Sequence, residues 1–168
     1  MKKKVHREPS RKRARILVVD DHVIVRQGLM KLINEEPDLM VCAEADNASQ
    51  ALEALDKQHI DLAVVDISLE GMSGLELTEI MKSRRPDLIV LILSMHDGLL
   101  YAQRALRAGA AGYVAKHEAA ETVIAAIRQV LSGKIYVSNS KVAQMLSDTA
   151  ADDSGGLDPD EGISSDRR

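Results

Sequence analysis

The sequence predicts an α/β fold in which helices cover both faces of a parallel β-sheet. Four apolar runs support this prediction: residues 16–19, 62–65, 88–93 and 112–115. Short unbroken apolar runs are typical of strands that are buried on both faces of a parallel sheet. Segments with helical periodicity separate the runs, and regular alternation of strand and helix gives the right-handed crossovers of a doubly wound sheet.

The first half of the chain adds one strand and two helices to these runs. Helix one is predicted over residues 23–34, where apolar residues recur at i, i+4, i+7 and i+8. Strand two is predicted over residues 40–45. Helix two is predicted over residues 47–57, because Asn47 and Gln50 have the spacing of a capping box at its start.

The second half of the chain is predicted to contain three helices. Helix three covers residues 74–83, and helix four covers residues 98–108 with Gly109 as its C-terminal cap. Helix five covers residues 119–131 and buries one apolar stripe, and Gly133 ends it. Five strands that alternate with five helices predict the flavodoxin-like strand order 2-1-3-4-5.

The formal net charge of -4 is divided unevenly along the chain. Residues 1–15 hold eight Lys or Arg and one Glu, whereas the remaining residues hold 14 basic and 25 acidic side chains. We therefore predict a basic arm over residues 1–14, a folded domain over residues 15–133, a short extension over residues 134–146 and an acidic linker or tail over residues 147–168. The arm is interpreted as a solvated leader rather than as a nucleic-acid contact.

The composition excludes several classes of protein. No apolar stretch approaches the roughly 20 residues of a membrane span, and the basic start lacks the apolar segment of a signal peptide, so we expect a cytoplasmic protein. The chain has no Trp or Phe, which disfavours a nucleic-acid site built on aromatic stacking. Cys42 is the only cysteine and lies in an apolar run, so it is interpreted as a small buried hydrophobe.

Polar side chains follow the predicted strands at the points where the strands end. They are the adjacent pair Asp20 and Asp21, then Asp66, Ser94 and Lys116. Ligand sites in parallel sheets form at the carboxyl ends of the strands, so these side chains should surround one crevice. Each of them alone has an ordinary explanation as a turn or helix cap. Together, three carboxylates repel one another unless a cation neutralises them, and oxygen ligands of this kind suit Mg²⁺.

The same residue types suit phosphoryl transfer. A carboxylate can attack phosphorus and form an acyl phosphate. Lys116 then supplies a compact positive charge for the phosphoryl oxygens, and the Ser94 hydroxyl supplies a hydrogen-bond donor.

Four motifs along the chain resemble those of a known family. They are D-D at 20–21, D-I-S-L-E-G-M-S-G at 66–74, L-S at 93–94 and A-G-Y-V-A-K at 111–116. In this order they resemble the receiver domain of two-component response regulators, and the resemblance covers residues 15–131. Further motifs are similar to the NarL/FixJ subclass: D-H at 21–22, G-A-A-G-Y at 109–113 and G-K-I-Y-V-S at 133–138.

The resemblance implies a set of site residues. Asp66 would accept a phosphoryl group from a histidine kinase. Asp21 and Asp66 would ligate Mg²⁺ directly, Asp20 would act largely through water, and the backbone carbonyl of Ser68 would be a further ligand. The protein would then be a signalling receiver and not an enzyme.

The resemblance also implies a switch and an output. Ser94 and Tyr113 match the hydroxyl and aromatic positions that rearrange on phosphorylation. The expected consequence is a change of surface that controls homodimerisation and transcription. Residues 162–168 resemble the opening of the helix-turn-helix domain that follows such receivers, but the recognition helix is absent from this chain. DNA binding is therefore expected only through an output domain outside it.

Two residues depart from the family pattern, which often has Pro at both positions. Glu70 adds negative charge beside the predicted site. His117 follows Lys116, and a cis peptide bond before a residue other than proline would cost about 3–4 kcal/mol.

The residues leave two alternatives open and disfavour two others. A phosphohydrolase with an aspartyl nucleophile would carry a second Asp two residues after Asp66, where this chain has Ser68. A receiver fold could also act only as an interaction module without phosphorylation. A nucleotide-binding enzyme is disfavoured because no Gly-rich phosphate loop follows the first strand. A zinc site built from His22, His96 and His117 is disfavoured because their spacing fits no compact motif.

Overall fold

A parallel sheet of six strands lies at the centre of the protein, whose computed structural model describes residues 12–96, 98–118, 120–138 and 144–148. The strands are β1 (Ala14–Val19), β2 (Leu39–Ala45), β3 (Leu62–Asp66), β4 (Ile89–Ser94), β5 (Gly112–Ala115) and β6 (Tyr136–Val137). The helices are α1 (Val23–Asn34), α2 (Ala48–Lys57), α3 (Gly74–Arg84), α4 (Leu99–Arg107) and α5 (Ala120–Leu131).

The sheet confirms the predicted topology and extends it by one strand. Its order is β2-β1-β3-β4-β5-β6, and every neighbouring pair is parallel. The sixth strand, Tyr136–Val137, is added to the five predicted strands and lies within the predicted extension over residues 134–146. It is too short for a recognisable pattern, and it pairs because Gly133, with a φ of 89°, reverses the chain after α5.

Gly112 permits the close approach of β6 to β5. A Cβ at this position would lie 3.0 Å from the Tyr136 carbonyl oxygen and 2.7 Å from a side-chain carbon of Leu91. The Tyr136 N–H donates to the Ala111 carbonyl over 3.1 Å, and the Ser138 N–H donates to the Tyr113 carbonyl over 3.1 Å. These bonds cover the edge of β5 that would otherwise remain unpaired.

The helices begin and end close to the predicted residues. The Asn47 side chain caps α2 by accepting a hydrogen bond from the Gln50 N–H over 2.9 Å. The Gln50 side chain accepts from the Asp46 N–H over 3.0 Å, one residue before the position that a capping box requires. Gly109 ends the α4 turn with a φ of 104°, a conformation that favours glycine.

The core lies in two layers, one on each face of the sheet. Leu17, Val65 and Ile92 belong to the layer that α2, α3 and α4 cover. Neighbouring strand residues, such as Val18 and Val64, belong to the layer of α1 and α5. Burial on both faces explains why the strands contain unbroken apolar runs.

Three smaller observations complete the fold. Cys42 is a half-buried free thiol whose pKa is raised by burial, so it resembles the predicted small hydrophobe more than a reactive group. None of the helices in the described ranges has both the length and the apolarity that a membrane crossing requires. Most of the predicted arm, and residues 149–168 of the predicted tail with the helix-turn-helix resemblance at 162–168, lie outside the described residues.

Candidate functional site at the carboxyl ends of the strands

The fold brings the predicted polar residues to one edge of the sheet. Asp20 and Asp21 follow β1, Asp66 is the last residue of β3, Ser94 is the last residue of β4, and Lys116 follows β5. Asp20 and Asp66 are 1% and 2% exposed, and Ser94 is fully buried. The crevice predicted from the strand ends is therefore present in the structure.

Lys116 contacts the buried carboxylates of Asp20 and Asp66. Its Nζ atom lies 2.9 Å from Asp20 Oδ2 and 3.0 Å from Asp66 Oδ2. Burial alone would lower the pKa of Lys116, but its close contacts with both carboxylates raise it above its ordinary value. The side chain is therefore an ammonium group at neutral pH, and it offsets part of the repulsion between the two acids.

Asp20 has partners on both of its carboxylate oxygens. Oδ2 contacts Lys116, and Oδ1 accepts a hydrogen bond from the His22 N–H over 2.9 Å. Arg26 holds the same turn from α1, because its Nη1 donates to the Asp20 carbonyl over 2.7 Å and its Nε donates to Glu44 over 3.0 Å. Arg26 was not predicted as part of the site, and its spacing of one helical turn after His22 is the signal that could have indicated it.

Asp21 differs from Asp20 in its hydrogen bonding. Its Oδ1 atom is buried and receives no hydrogen bond from the described residues. His22 Nδ1 lies 3.0 Å from this oxygen. A buried carboxylate oxygen without a donor is suited to coordinate a cation.

The loop after β3 fixes the orientation of Asp66. The Ser68 N–H donates to Asp66 Oδ1 over 3.1 Å, and the Ile67 N–H donates to the Leu93 carbonyl over 2.9 Å. Gly74 starts α3 directly against this strand end, where a Cβ would lie 2.2 Å from the Asp66 carbonyl oxygen. Gly74 was predicted only as the first residue of helix three, whereas the structure shows that this close approach requires a glycine.

The donor set fits a divalent cation. Ligand atoms of Asp20, Asp21, Asp66 and His22 all lie within 4.8 Å of one another. The three carboxylates share the positive charge of Lys116, so the cluster retains an excess of negative charge. His22 was not among the predicted ligands, and its position next to the acid pair was the available signal.

The predicted switch residues are linked through the loop after β4. Ser94 Oγ accepts a hydrogen bond from the His96 N–H over 2.9 Å, and the buried Tyr113 hydroxyl donates to the His96 carbonyl. The His96 ring stacks on Tyr101 with a centroid separation of 4.6 Å. His96 thus contacts both predicted switch residues, and the structure does not place it with His22 and His117 in a zinc site.

The two departures from the family pattern are accommodated on the surface of the site. Glu70 is exposed and lines an open cleft together with Asp21, Asp46 and Asn47. No described peptide bond is cis, so the bond between Lys116 and His117 is trans.

Comparison with known proteins identifies the family. Residues 16–128 match the family described as response regulator receiver domain. The chain belongs to this family. Two solved structures from it are similar over nearly their whole length. A two-component response regulator of the LuxR family from Aurantimonas sp. SI85-9A1 is 35% identical with a TM-score of 0.76, covering 83% of this chain and 99% of the other. The signal receiver domain of the response regulator NarL from Mycobacterium tuberculosis is 28% identical with a TM-score of 0.69, covering 73% of this chain and 99% of the other.

Curated relatives with similar sequences are longer proteins. The transcriptional regulatory protein DegU of Brevibacillus brevis is 34% identical over 122 residues, which cover 73% of this chain and 52% of the relative. The transcriptional activator protein ExaE of Pseudomonas putida is 36% identical over 130 residues, which cover 77% of this chain and 61% of the relative. The chain thus spans about half to three-fifths of their length. This receiver is of the NarL/LuxR type, and its family supports a phosphorylation-dependent signalling role.

Proposed function

We propose that the protein accepts a phosphoryl group on Asp66 and that this modification switches its association with other proteins. The observation that supports Asp66 is its position. It ends the central strand β3, is almost completely buried, contacts Lys116 at 3.0 Å and lies in one cluster with Asp20 and Asp21. The family of the chain supports a sensor histidine kinase as the donor and a cytoplasmic location.

The proposed step transfers one phosphoryl group without net oxidation or reduction. An oxygen of the Asp66 carboxylate attacks phosphorus, and an O–P bond forms. The bond between phosphorus and the kinase imidazole nitrogen breaks, and the nitrogen keeps the electron pair. Lys116 contributes positive charge to the phosphoryl oxygens, because its ammonium already lies at hydrogen-bond distance from Asp66.

The resemblance to the family indicates which residues would hold Mg²⁺. Asp21 and Asp66 would bind it directly, the Ser68 carbonyl would complete the protein ligands, and Asp20 would act through water. The structure supports the role of Asp20, because both of its oxygens accept hydrogen bonds. When bound, Mg²⁺ supplies charge neutralisation for the phosphoryl oxygens. Asp21 Oδ1 and Asp66 Oδ2 are the atoms available for it, since both are buried and the described residues donate no hydrogen bond to either.

Ser94 and Tyr113 are proposed to transmit the modification. The Ser94 hydroxyl would turn toward the phosphoryl group and lose the hydrogen bond from the His96 N–H. A charge-assisted hydrogen bond of about 1.5–3 kcal/mol shifts a conformational equilibrium roughly ten- to a hundredfold. Because the Tyr113 hydroxyl is bonded to the His96 carbonyl, the same change would reach Tyr113 and the surface of α4, β5 and α5.

Phosphorylation would then favour a homodimer, through this surface or through α1 and α5. Sedimentation with and without beryllofluoride and Mg²⁺ tests this part of the proposal, and an unchanged association state would remove the dimer from it. DNA is a proposed partner only of an output domain outside this chain. Tight, sequence-selective DNA binding by the chain alone would contradict that division.

Incubation with Mg²⁺ and acetyl phosphate tests the acceptor directly. One labile phosphoryl group should appear on the wild-type protein and be absent from Asp66→Asn. Asp61→Asn is the control, because Asp61 lies at the opposite end of β3 and should leave the adduct intact. An adduct that survives in Asp66→Asn would contradict the assignment.

The same incubation separates the alternatives. A phosphohydrolase would release inorganic phosphate over many turnovers, whereas a receiver is modified once per chain. Ser68 occupies the position of the second Asp of such enzymes, and a serine offers no carboxyl group as a general acid. Its side chain is exposed. A receiver fold that served only as an interaction module would take no label at all.

A further inference from the structure

His22 has an unusual relation to the acid cluster. Its Nδ1 atom lies 3.0 Å from Asp21 Oδ1 and 3.3 Å from Asp20 Oδ1. Asp21 Oδ1 nevertheless remains without a hydrogen bond, so the ring nitrogen is near this oxygen but is not aligned to donate to it. The ring nitrogen has hydrogen-bond geometry with Asp20 Oδ1 instead, so it lies between the two carboxylates. A cation bound by the cluster would take the place of this hydrogen bond.

The separation of His22 Nδ1 from Asp21 Oδ1 suits two ligands of one ion. Neighbouring ligands at right angles, each about 2.1 Å from a metal, lie about 3.0 Å apart. The backbone of His22 is held by its hydrogen bond to Asp20 Oδ1, so the residue is already positioned at the start of α1. Its side chain is 66% exposed, and binding a cation would therefore require little desolvation of the ring.

We infer that His22 Nδ1 is a nitrogen ligand in this cluster and shifts the site toward transition-metal cations such as Co²⁺ and Zn²⁺. The inference rests on the proposed metal site, to which it adds a ligand. Imidazole suits zinc and other late first-row metals, whereas Mg²⁺ prefers oxygen. His22 should therefore raise the affinity for Co²⁺ strongly and the affinity for Mg²⁺ little.

A second histidine provides an internal control. His59 Nε2 lies 2.7 Å from Asp61 Oδ1, and the His59 side chain is 57% exposed. The other oxygen of Asp61 accepts a hydrogen bond from the Arg15 N–H over 2.8 Å. Within the described ranges, the grouping of three or more possible metal ligands is found around His22 and not around His59. A contact between histidine and carboxylate alone is thus not expected to bind metal.

Titration calorimetry with Co²⁺ and with Mg²⁺ tests the inference on the wild-type chain, His22→Ala, His22→Gln and His59→Ala. Both His22 variants should lose at least tenfold in Co²⁺ affinity and less than twofold in Mg²⁺ affinity, and His59→Ala should match the wild type. His22→Gln guards against an effect of side-chain truncation at the start of α1. Unchanged Co²⁺ affinity, or equal losses for both metals, would overturn the inference.

Pulsed electron paramagnetic resonance with Mn²⁺ provides a direct readout of the ligand. Imidazole nitrogen coupling should be present in the wild type and in His59→Ala and absent from His22→Ala. Coupling that persists in His22→Ala would overturn the assignment. Labelling with acetyl phosphate and Mg²⁺ is read separately, because failure of the wild type to take the label contradicts the proposed function and leaves the metal result unaffected.

Discussion

At the amino end of the sheet Asp61 lies beside His59 and Arg15, whereas at the carboxyl end Asp20 lies beside His22 and Lys116. Each end thus combines an aspartate, a histidine two residues away in the chain and a basic residue from another strand or its following loop. At the amino end every carboxylate oxygen of Asp61 has a donor or a histidine partner.

The two ends differ in their balance of charge. Burial alone would raise the pKa of Asp61, but hydrogen bonds from the Arg15 backbone and from His59 bring it below its ordinary value, so this acid is stabilised as a carboxylate. At the carboxyl end three carboxylates share the charge of Lys116. The comparison teaches that surplus charge, rather than the residue types, distinguishes a ligand site from a structural contact.

Loss of Lys116 should have the largest effect on stability. Lys116→Met leaves Asp20 and Asp66 buried without their ion pair, and breaking a buried pair in this way costs about 3–5 kcal/mol. The free energy of unfolding in urea, measured without divalent metal, checks the prediction. Lys57→Met is the control, since Lys57 pairs with Glu53 on the surface and its loss should be too small to measure. Equal losses in the two variants would break the comparison.

Mg²⁺ should stabilise the protein through the carboxyl end alone. At a hundred times its dissociation constant, a ligand of the folded state adds about 2.7 kcal/mol to the free energy of unfolding. This increment should be largely lost in Asp21→Ala and reduced less in Asp20→Ala, because Asp20 already has partners on both oxygens. Comparing each variant with and without Mg²⁺ removes its own effect on folding. A larger loss in Asp20→Ala would reverse the assignment of the direct ligand.

The sequence was sufficient to predict most of the fold and the acidic residues at the carboxyl ends of the strands. The strands are unbroken apolar runs, and the site residues follow them directly, so their meeting at one edge is a consequence of parallel topology. The sixth strand could not be predicted, because two residues such as Tyr136 and Val137 contain no periodicity. It depends on the space that Gly112 leaves beside β5.

The roles of His22 and His96 were missed for a different reason. Both depend on distances of about 3 Å between residues that are one or two positions apart, and these distances are set by the conformation of the turn, which the sequence pattern does not determine. His96 was considered only as a member of a disfavoured zinc site, yet its backbone contacts both Ser94 and Tyr113. Backbone groups take part in sites regardless of residue type, and a sequence therefore gives no signal of them.

Neutralising one acid at each end should have opposite effects. Without metal, Asp66→Asn relieves repulsion in the surplus cluster and should raise the free energy of unfolding by about 1 kcal/mol, the scale of ordinary single substitutions. Asp61→Asn removes a stabilised carboxylate and should lower it. Urea unfolding of both variants at neutral pH measures the two signs. A decrease in both would indicate that the carboxyl end carries no excess of charge.

The smallest effect concerns acid stability at the amino end. The pKa of Asp61 is lowered in the folded protein below its ordinary value of 3.8. A lowered pKa stabilises the fold fully above the ordinary value, and this contribution disappears as the pH falls through the folded pKa. The difference in free energy of unfolding between the wild type and Asp61→Asn should thus shrink as the pH falls below 3.8.

Urea titrations from neutral to acid pH measure this difference. The acids of the carboxyl end are present in both proteins, so their contribution to the free energy of unfolding cancels. Asp56→Asn is the control, because Asp56 contacts Arg84 at 3.3 Å with both side chains exposed, so its difference from the wild type should be small at every pH. A difference for Asp61→Asn that grew in acid would mean that the folded state favours the protonated carboxyl. In that case the hydrogen bond from the Arg15 backbone would not offset the effect of burial on the pKa of Asp61. The charges at the amino end would then not be balanced, and this end could not serve as the reference for the excess negative charge at the carboxyl end.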